Sequence, residues 1–136
     1  MADNIKLEVV TPEKYVVSEE AQIVMAPGTL GEFGVLSGHT PFLTSLDIGK
    51  VRYRNAGGNE SLVFVSGGFA EALPDRVTIL AESAELGDQI DYERARAAYE
   101  RAQQRLNEQQ NIDSARARAA LNRAMARMKI AESKNA

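Results

Sequence analysis

The sequence of 136 residues contains no cysteine, no tryptophan and a single histidine, His39. Without cysteine the chain can form neither a disulfide nor a zinc–thiolate site, and a lone histidine offers a metal no second imidazole ligand. The chain has no run of about eighteen apolar residues, so no membrane-spanning helix is expected. The N-terminal residues lack the basic flank and apolar stretch of a secretory signal. These absences exclude disulfide-stabilised scaffolds and thiol catalysis.

Glycine, proline and charge are distributed unevenly along the chain. All ten glycines and all four prolines lie in residues 1–87, whereas residues 88–136 hold twelve alanines. Glycine and proline mark turns between strands, and alanine has the highest helix propensity. The net charge of −3 divides into −6 for residues 1–87 (six Lys/Arg against twelve Asp/Glu) and +3 for residues 88–136 (ten against seven). The sequence therefore predicts two domains, residues 1–87 and residues 88–136.

Short alternating runs of apolar and polar residues recur in the first domain, as is typical of half-buried strands. The clearest run covers residues 5–9, and similar runs occur at residues 22–25, 50–54, 61–65 and 76–81. Turn-forming residues separate these runs. Many short strands with glycine-rich turns favour an antiparallel β-sandwich or flattened barrel, here of roughly eight to ten strands.

Two glycine-rich segments lie in the first domain, at residues 31–41 and 66–71. The first lacks the Gly-Lys-Ser/Thr ending of a phosphate-binding loop, so a structural turn is favoured. The second is expected to form a bulge or to bend a strand. His39 has no neighbouring nucleophile or ligand pair, which favours a loop side chain bonded to backbone. Phe69 is most simply a core residue, with a partner-facing position as the alternative.

The second domain contains an internal repeat. Residues 90–106 and 112–128 share ten identities in seventeen aligned positions. Each copy begins with Ile-Asp, which places Asp91 and Asp113 where helix N-caps are expected. The polar connection at residues 107–111 is short enough for antiparallel packing. The repeat therefore predicts an antiparallel two-helix hairpin, and the whole chain an α+β fold in which the β-sandwich precedes the hairpin.

Alanine dominates the face on which the two helices are expected to meet. Ala95 and Ala102 lie on the apolar stripe of the first helix, and Ala117 and Ala124 on that of the second. Small side chains allow helices to approach closely, but they bury little apolar area, at about 25 cal/mol per Å². The hairpin by itself is therefore expected to have a low free energy of unfolding, and its two helices to separate at a modest cost in free energy.

Six arginines flank this face at matching positions of the two copies. They are Arg94, Arg101 and Arg105, followed by Arg116, Arg123 and Arg127. One interpretation is a solvated face with intrahelical ion pairs. The other is recognition of an anion, because guanidinium groups bind carboxylates and phosphates through two parallel hydrogen bonds. The negative net charge and the lack of aromatic residues among the arginines disfavour a nucleic-acid partner. No nucleophile–base set or paired carboxylate indicates an independent enzyme.

The order and spacing of four features resemble the epsilon subunit of bacterial F-type ATP synthase. These features are GEFGVLSGHTP at residues 31–41, SGGFAE at residues 66–71, VTILA at residues 77–81, and the Ala/Arg hairpin. Ser37 departs from the family, which often has proline before Gly-His. The resemblance implies a non-catalytic subunit of the central stalk, whose sandwich docks on the gamma subunit and the c-ring. It also implies a hairpin that lies folded on the sandwich or extends along gamma toward the alpha and beta subunits, where it restrains ATP hydrolysis.

The resemblance further implies a regulatory ATP site, since some bacterial members bind ATP in the folded hairpin through the motif I-D-x-x-R-A. Ile90, Asp91, Arg94 and Ala95 match this motif, and Arg101, Arg123 and Arg127 match further arginines that those members use, so these seven residues are the candidates for nucleotide binding. The candidates for partner binding are Arg116, Arg123, Arg127, His39 and Phe69. Residues 112–117 match the same motif, so helix capping alone can generate it. ATP is the sole expected small-molecule ligand, and no cofactor is required.

Such a subunit is expected at the cytoplasmic face of the bacterial inner membrane, held there through the complex. The alternative function is a free-standing ATP sensor with an unrelated protein partner.

Overall fold

A computed structural model describes residues 3–108 and 114–133 of the chain. The strands are β1 (Ile5–Val10), β2 (Tyr15–Gly28), β3 (Gly31–Val35), β4 (Phe42–Asn55), β5 (Glu60–Leu73), β6 (Arg76–Leu80) and β7 (Ala84–Leu86). A 3₁₀ turn at Gly87–Gln89 leads into the helices α1 (Tyr92–Asn107) and α2 (Ser114–Ser133). The predicted fold class, a β-sandwich followed by a helical hairpin, is confirmed.

The described residues form seven strands rather than the expected eight to ten, because three strands are long. β5 pairs with β7 through Val63–Val65 and with β6 through Phe69–Leu73. The change of partner occurs beside Gly67 and Gly68, whose φ angles are 98° and 117°. A side chain at Gly68 would collide with the backbone of β6. Core-facing residues of β5 have odd numbers before the glycine pair (Val63, Val65) and even numbers after it (Ala70, Ala72), so the pair shifts the alternation without ending the strand.

The sheet closes on itself as a flattened barrel. Its strand order is β1-β6-β5-β4-β2-β3, and β1 also pairs with β2. All pairings are antiparallel except that of β1 with β6, which is parallel. The inward residues of every strand from β1 to β6 contribute to one buried core. The hydroxyl of Tyr53, a core residue, donates a hydrogen bond to the carboxylate of Glu19 at 2.7 Å. Burial is the main cause that raises the pKa of Tyr53 to about 12, and the Glu19 carboxylate is the second.

The second helix, α2, carries the contact between the hairpin and the sandwich. It packs on β4, β5 and the 3₁₀ turn, whereas α1 makes its main contacts with α2. Val63, Phe64 and Val65 of β5 are all fully buried, because this part of the sheet is covered on both faces. Val63 and Val65 belong to the sandwich core, and Phe64 packs against the helical side. Docking of α2 therefore fixes the position of both helices.

The hairpin has the predicted alanine face. Ala95, Ala102, Ala117 and Ala124 are buried between the helices with exposed fractions of 4, 3, 7 and 2%. Asp91 caps α1, since its side chain accepts from the backbone N–H of Arg94 at 3.2 Å. The corresponding predictions for Ile112 and Asp113, and for the connection at 109–111, lie outside the described residues. No described helix is long and apolar enough to cross a membrane.

Candidate functional site

A cavity of about 530 Å³ lies where the start of the hairpin meets the sandwich; we call it the junction cavity. Its size is within the usual range of small-molecule sites. Six of the seven residues predicted for nucleotide binding line it: Ile90, Asp91, Arg94, Ala95, Arg101 and Arg127. The turn before α1 supplies the first two, α1 the next three, and α2 the last. The sequence repeat therefore brings residues of both helices to one place, as an antiparallel hairpin requires.

A second cavity of about 710 Å³ runs between α1 and α2; we call it the interhelical groove. It shares Ala98, Arg101, Ala124 and Arg127 with the junction cavity, so the two cavities are neighbours. Arg123, the seventh predicted nucleotide-binding residue, lines this groove. The arginines along the groove are Arg101, Arg105, Arg116, Arg123 and Arg127, and a single acidic residue, Glu108, accompanies them. The described part of the hairpin therefore concentrates positive charge along the interhelical groove.

The arginines differ in how the folded chain engages them. Arg94 and Arg101 are exposed and Arg123 is half-buried. None of these three forms an ion pair with another residue of the ranges 3–108 and 114–133. Arg127 instead pairs with Glu85 of β7, with its Nε 3.2 Å from the Glu85 Oε1. Its guanidinium carbon also lies 4.1 Å from the centroid of the Phe64 ring.

Three polar residues lining the junction cavity were not predicted as site residues from the sequence. Lys14, which directly precedes β2, adds a positive charge from the sandwich. Glu85 and Gln89 add a carboxylate and an amide beside the arginines. A bound polyanion would be attracted by Lys14 of the sandwich and by the arginines of the hairpin, and it would be repelled by the carboxylate of Glu85. No local pattern marks these residues, since they reach the cavity only through the tertiary packing.

The two other candidates for partner binding lie away from both cavities. The Nδ1 of His39 is 2.7 Å from the backbone oxygen of Thr40, and the ring lies 5.1 Å from that of Phe42. This geometry confirms the predicted contact of a loop side chain with backbone. Phe69 is 55% exposed and stands opposite Leu80, which is 53% exposed. The simplest prediction for Phe69, a core position, is therefore wrong, and the alternative, that Phe69 faces a partner, stays a prediction.

Capping by Asp91 leads to a first prediction. Asp91→Ala is expected to lower the free energy of hairpin unfolding by about 1 kcal/mol, because the N–H of Arg94 loses its acceptor. Asp91→Asn is expected to cost much less, since an asparagine oxygen can accept the same hydrogen bond. Both changes in the free energy of unfolding can be measured by urea unfolding, with the helices followed by circular dichroism. An equal loss in the two variants would show that the charge of Asp91, and not its capping bond, stabilises the helix.

Sequence comparisons match the chain to one family along almost its full length. The pattern described as "ATP synthase, Delta/Epsilon chain, beta-sandwich domain" matches residues 4–87. The pattern described as "ATP synthase, Delta/Epsilon chain, long alpha-helix domain" matches residues 88–132.

Similar bacterial proteins include the ATP synthase epsilon chain of Syntrophobacter fumaroxidans. It is 56% identical over 133 residues, which cover 97% of this chain and 98% of that protein. The ATP synthase epsilon chain of Desulforapulum autotrophicum is 67% identical over 108 residues, which cover 79% of this chain and 80% of that protein.

Solved structures share the fold. A chain in the Euglena gracilis mitochondrial ATP synthase (OSCP/F1/c-ring) superposes with a TM-score of 0.81 at 22% identity, covering 100% of this chain and 84% of that one. A chain in the central stalk/c-ring structure of the Tetrahymena thermophila mitochondrial ATP synthase gives 0.61 at 13% identity, covering 96% of this chain and 98% of that one. Because both family patterns and relatives of more than half identity match, this chain belongs to the ATP synthase delta/epsilon family.

Proposed function

We propose that this chain is the epsilon subunit of a bacterial F-type ATP synthase and works as a non-catalytic part of its central stalk. Residues 1–87 would dock on the gamma subunit and the c-ring, and residues 88–136 would restrain ATP hydrolysis when they extend toward the alpha and beta subunits. The subunit is peripheral to the membrane, held through the complex at its cytoplasmic face. The family match over both segments supports this assignment.

Regulation of the hairpin by ATP is the second part of the proposal. The observation that carries it is the convergence of Arg94 and Arg101 of α1 with Arg127 of α2 on the junction cavity. Arg123 extends the positive charge into the adjoining groove. A triphosphate bound there would contact both helices, and therefore would bind the folded hairpin in preference to an extended one.

The expected gain in stability follows from this preference. A ligand that binds only the folded hairpin stabilises it by RT ln(1 + [L]/Kd), about 2.7 kcal/mol at one hundred times Kd. Such a gain changes the ratio of folded to extended hairpins about a hundredfold, which shifts the balance between the two forms. ATP would thereby favour the state that permits hydrolysis.

Titration calorimetry of the isolated chain with Mg-free ATP tests this site. We expect saturable binding, micromolar or weaker, because part of the binding energy orders the hairpin. Arg94→Ala and Arg123→Ala are each expected to weaken binding about tenfold or more, since each removes a charge-assisted hydrogen bond. Arg118→Ala, an exposed arginine of α2 that lines neither cavity, is the matched control and should bind like the parent.

The outcomes separate the parts of the proposal. Absence of heat at millimolar ATP would reject the nucleotide site and leave the hairpin as a purely mechanical brake. Copurification with a gamma subunit tests the stalk assignment independently. Failure to form a stable complex with gamma, combined with ATP binding, would favour the free-standing sensor.

A further inference from the structure

We propose that the C-terminal part of α2, and not the face between the helices, holds the hairpin on the sandwich. This lock comprises Ile130 and Ala131 packed on Phe64 and Ile90, together with the contacts of Arg127 to Phe64 and Glu85. The inference deepens the proposed function and rests on it, because these are the contacts that must break before the hairpin can extend.

The apolar part of the lock is a compact cluster separate from the sandwich core. Phe64, Ile90, Ile130 and Ala131 have exposed fractions of 0, 4, 1 and 0% and pack together. Large side chains bury far more apolar area than alanine does. The face between α1 and α2 buries mainly alanines, none of which belongs to this cluster or to the sandwich core. Among the described residues of the two helices, Ile130 is the one large side chain that is fully buried, and it is buried against the sandwich.

Arg127 provides the polar part of the lock. Its side chain is 29% exposed and that of Glu85 is 36% exposed, so water screens their ion pair only in part. The guanidinium also lies over the face of Phe64, a cation–π arrangement that adds to the apolar contact. One side chain of α2 thus contacts two strands of the sandwich, β5 and β7.

Gly87 provides the space that the lock needs. A Cβ atom at this position would lie 2.8 Å from the backbone oxygen of Leu62 and 3.0 Å from the Cγ2 of Ile130. The backbone oxygen is fixed within β5, so a side chain at residue 87 would push the 3₁₀ turn away from β5 and would also press on Ile130. Since α1 contacts chiefly α2, loss of the lock would release both helices together.

Distance measurement between two spin labels tests the lock in the full-length isolated chain. Because the chain has no cysteine, labels can be attached selectively after Glu20→Cys on the sandwich and Gln104→Cys on α1, both at exposed positions. The parent should give one narrow distance. Gly87→Ala and Ile130→Ala should each raise the ratio of undocked to docked molecules about tenfold, since overpacking and loss of buried area both weaken the contact.

Matched controls come from the same chain. Gly57→Ala introduces a Cβ whose nearest neighbour is 3.4 Å away, and Arg118→Ala truncates an exposed residue of α2 that lines no cavity beside the sandwich. Both should retain the parent distance. Unchanged distances in Gly87→Ala and Ile130→Ala, or the absence of a docked distance in the parent, would overturn the lock. If Gly87→Ala unfolds the sandwich, Ile130→Ala decides alone. Neither ATP nor gamma is present, so these results are independent of tests of the stalk assignment and nucleotide site.

Discussion

ATP synthase assembled with Arg116→Glu and Arg123→Glu in this subunit is expected to lose its inhibition of ATP hydrolysis, with a rate at least about tenfold above that of the inhibited parent. Both arginines line the interhelical groove. In the extended state we expect them to face acidic residues of a beta subunit. Truncating one partner of a buried interfacial charge pair costs about 2–5 kcal/mol, and charge reversal adds repulsion. Measurement of steady-state hydrolysis by the purified complex provides the test.

Arg127 is left out of this variant because the folded chain already uses it. Its reversal would place a glutamate against Glu85 and over Phe64, and would disturb the docked state as well as the extended one. The matched control is Arg96→Glu with Arg118→Glu, which makes the same change of charge at exposed positions that line neither cavity. Inhibition that persists in the first variant while gamma remains bound would reject electrostatic recognition of beta.

Local sequence patterns predicted the features that depend on neighbours along the chain. Alternation located parts of β1, β2, β4, β5 and β6 but neither β3 nor β7, and β3 begins the segment expected to be a structural turn. The repeat located two helices with Ala95, Ala102, Ala117 and Ala124 between them. Asp91 caps α1 because its side chain needs only a backbone N–H three residues away. The family resemblance also selected six residues that line one cavity, four through the motif and two as further arginines, since antiparallel packing follows from the repeat.

Features that depend on long-range packing could not be predicted in the same way. Val63, Phe64 and Val65 form an unbroken apolar run, and nothing in it distinguishes the residue that faces the hairpin. Glu85 reaches Arg127 across 42 positions of sequence. Phe69 resembles a core aromatic in sequence, yet the alternation of its strand shifts at Gly67 and Gly68 and leaves it exposed. Each of these three features depends on how α2 lies on β5 or on the glycine pair within β5.

The lock and the candidate nucleotide site share Arg127, which gives ATP a direct means of acting on the docked state. A phosphate in the junction cavity would bind a guanidinium that Glu85 and Phe64 already hold in place, so little side-chain entropy would be lost. The same phosphate would be repelled by Glu85. The affinity for ATP should therefore reflect a balance between preorganisation of Arg127 and this repulsion.

Phe64→Ala is expected to release the hairpin from the sandwich, with the largest effect of any single substitution in the docking contact. Phe64 is fully buried, and it packs with Ile90, Ile130 and Ala131 rather than with the sandwich core. Replacing a buried phenylalanine with alanine costs about 3–5 kcal/mol. The guanidinium of Arg127 also loses the ring beneath it. Hydrogen exchange followed by mass spectrometry should show α2 losing protection while β1 to β6 remain protected.

Val65→Ala is the matched control, because Val65 is equally buried in the same strand but faces the sandwich core. It should lower the protection of the strands at a smaller cost, because fewer carbon atoms are removed. The two variants therefore distinguish the roles of the two faces of β5: the face with Val65 stabilises the sandwich, and the face with Phe64 holds the hairpin. If Phe64→Ala lowered the protection of strands and helices equally, the two would unfold as one cooperative unit. The hairpin could then not leave the sandwich without unfolding it, and a mobile hairpin would be ruled out as the means of inhibition.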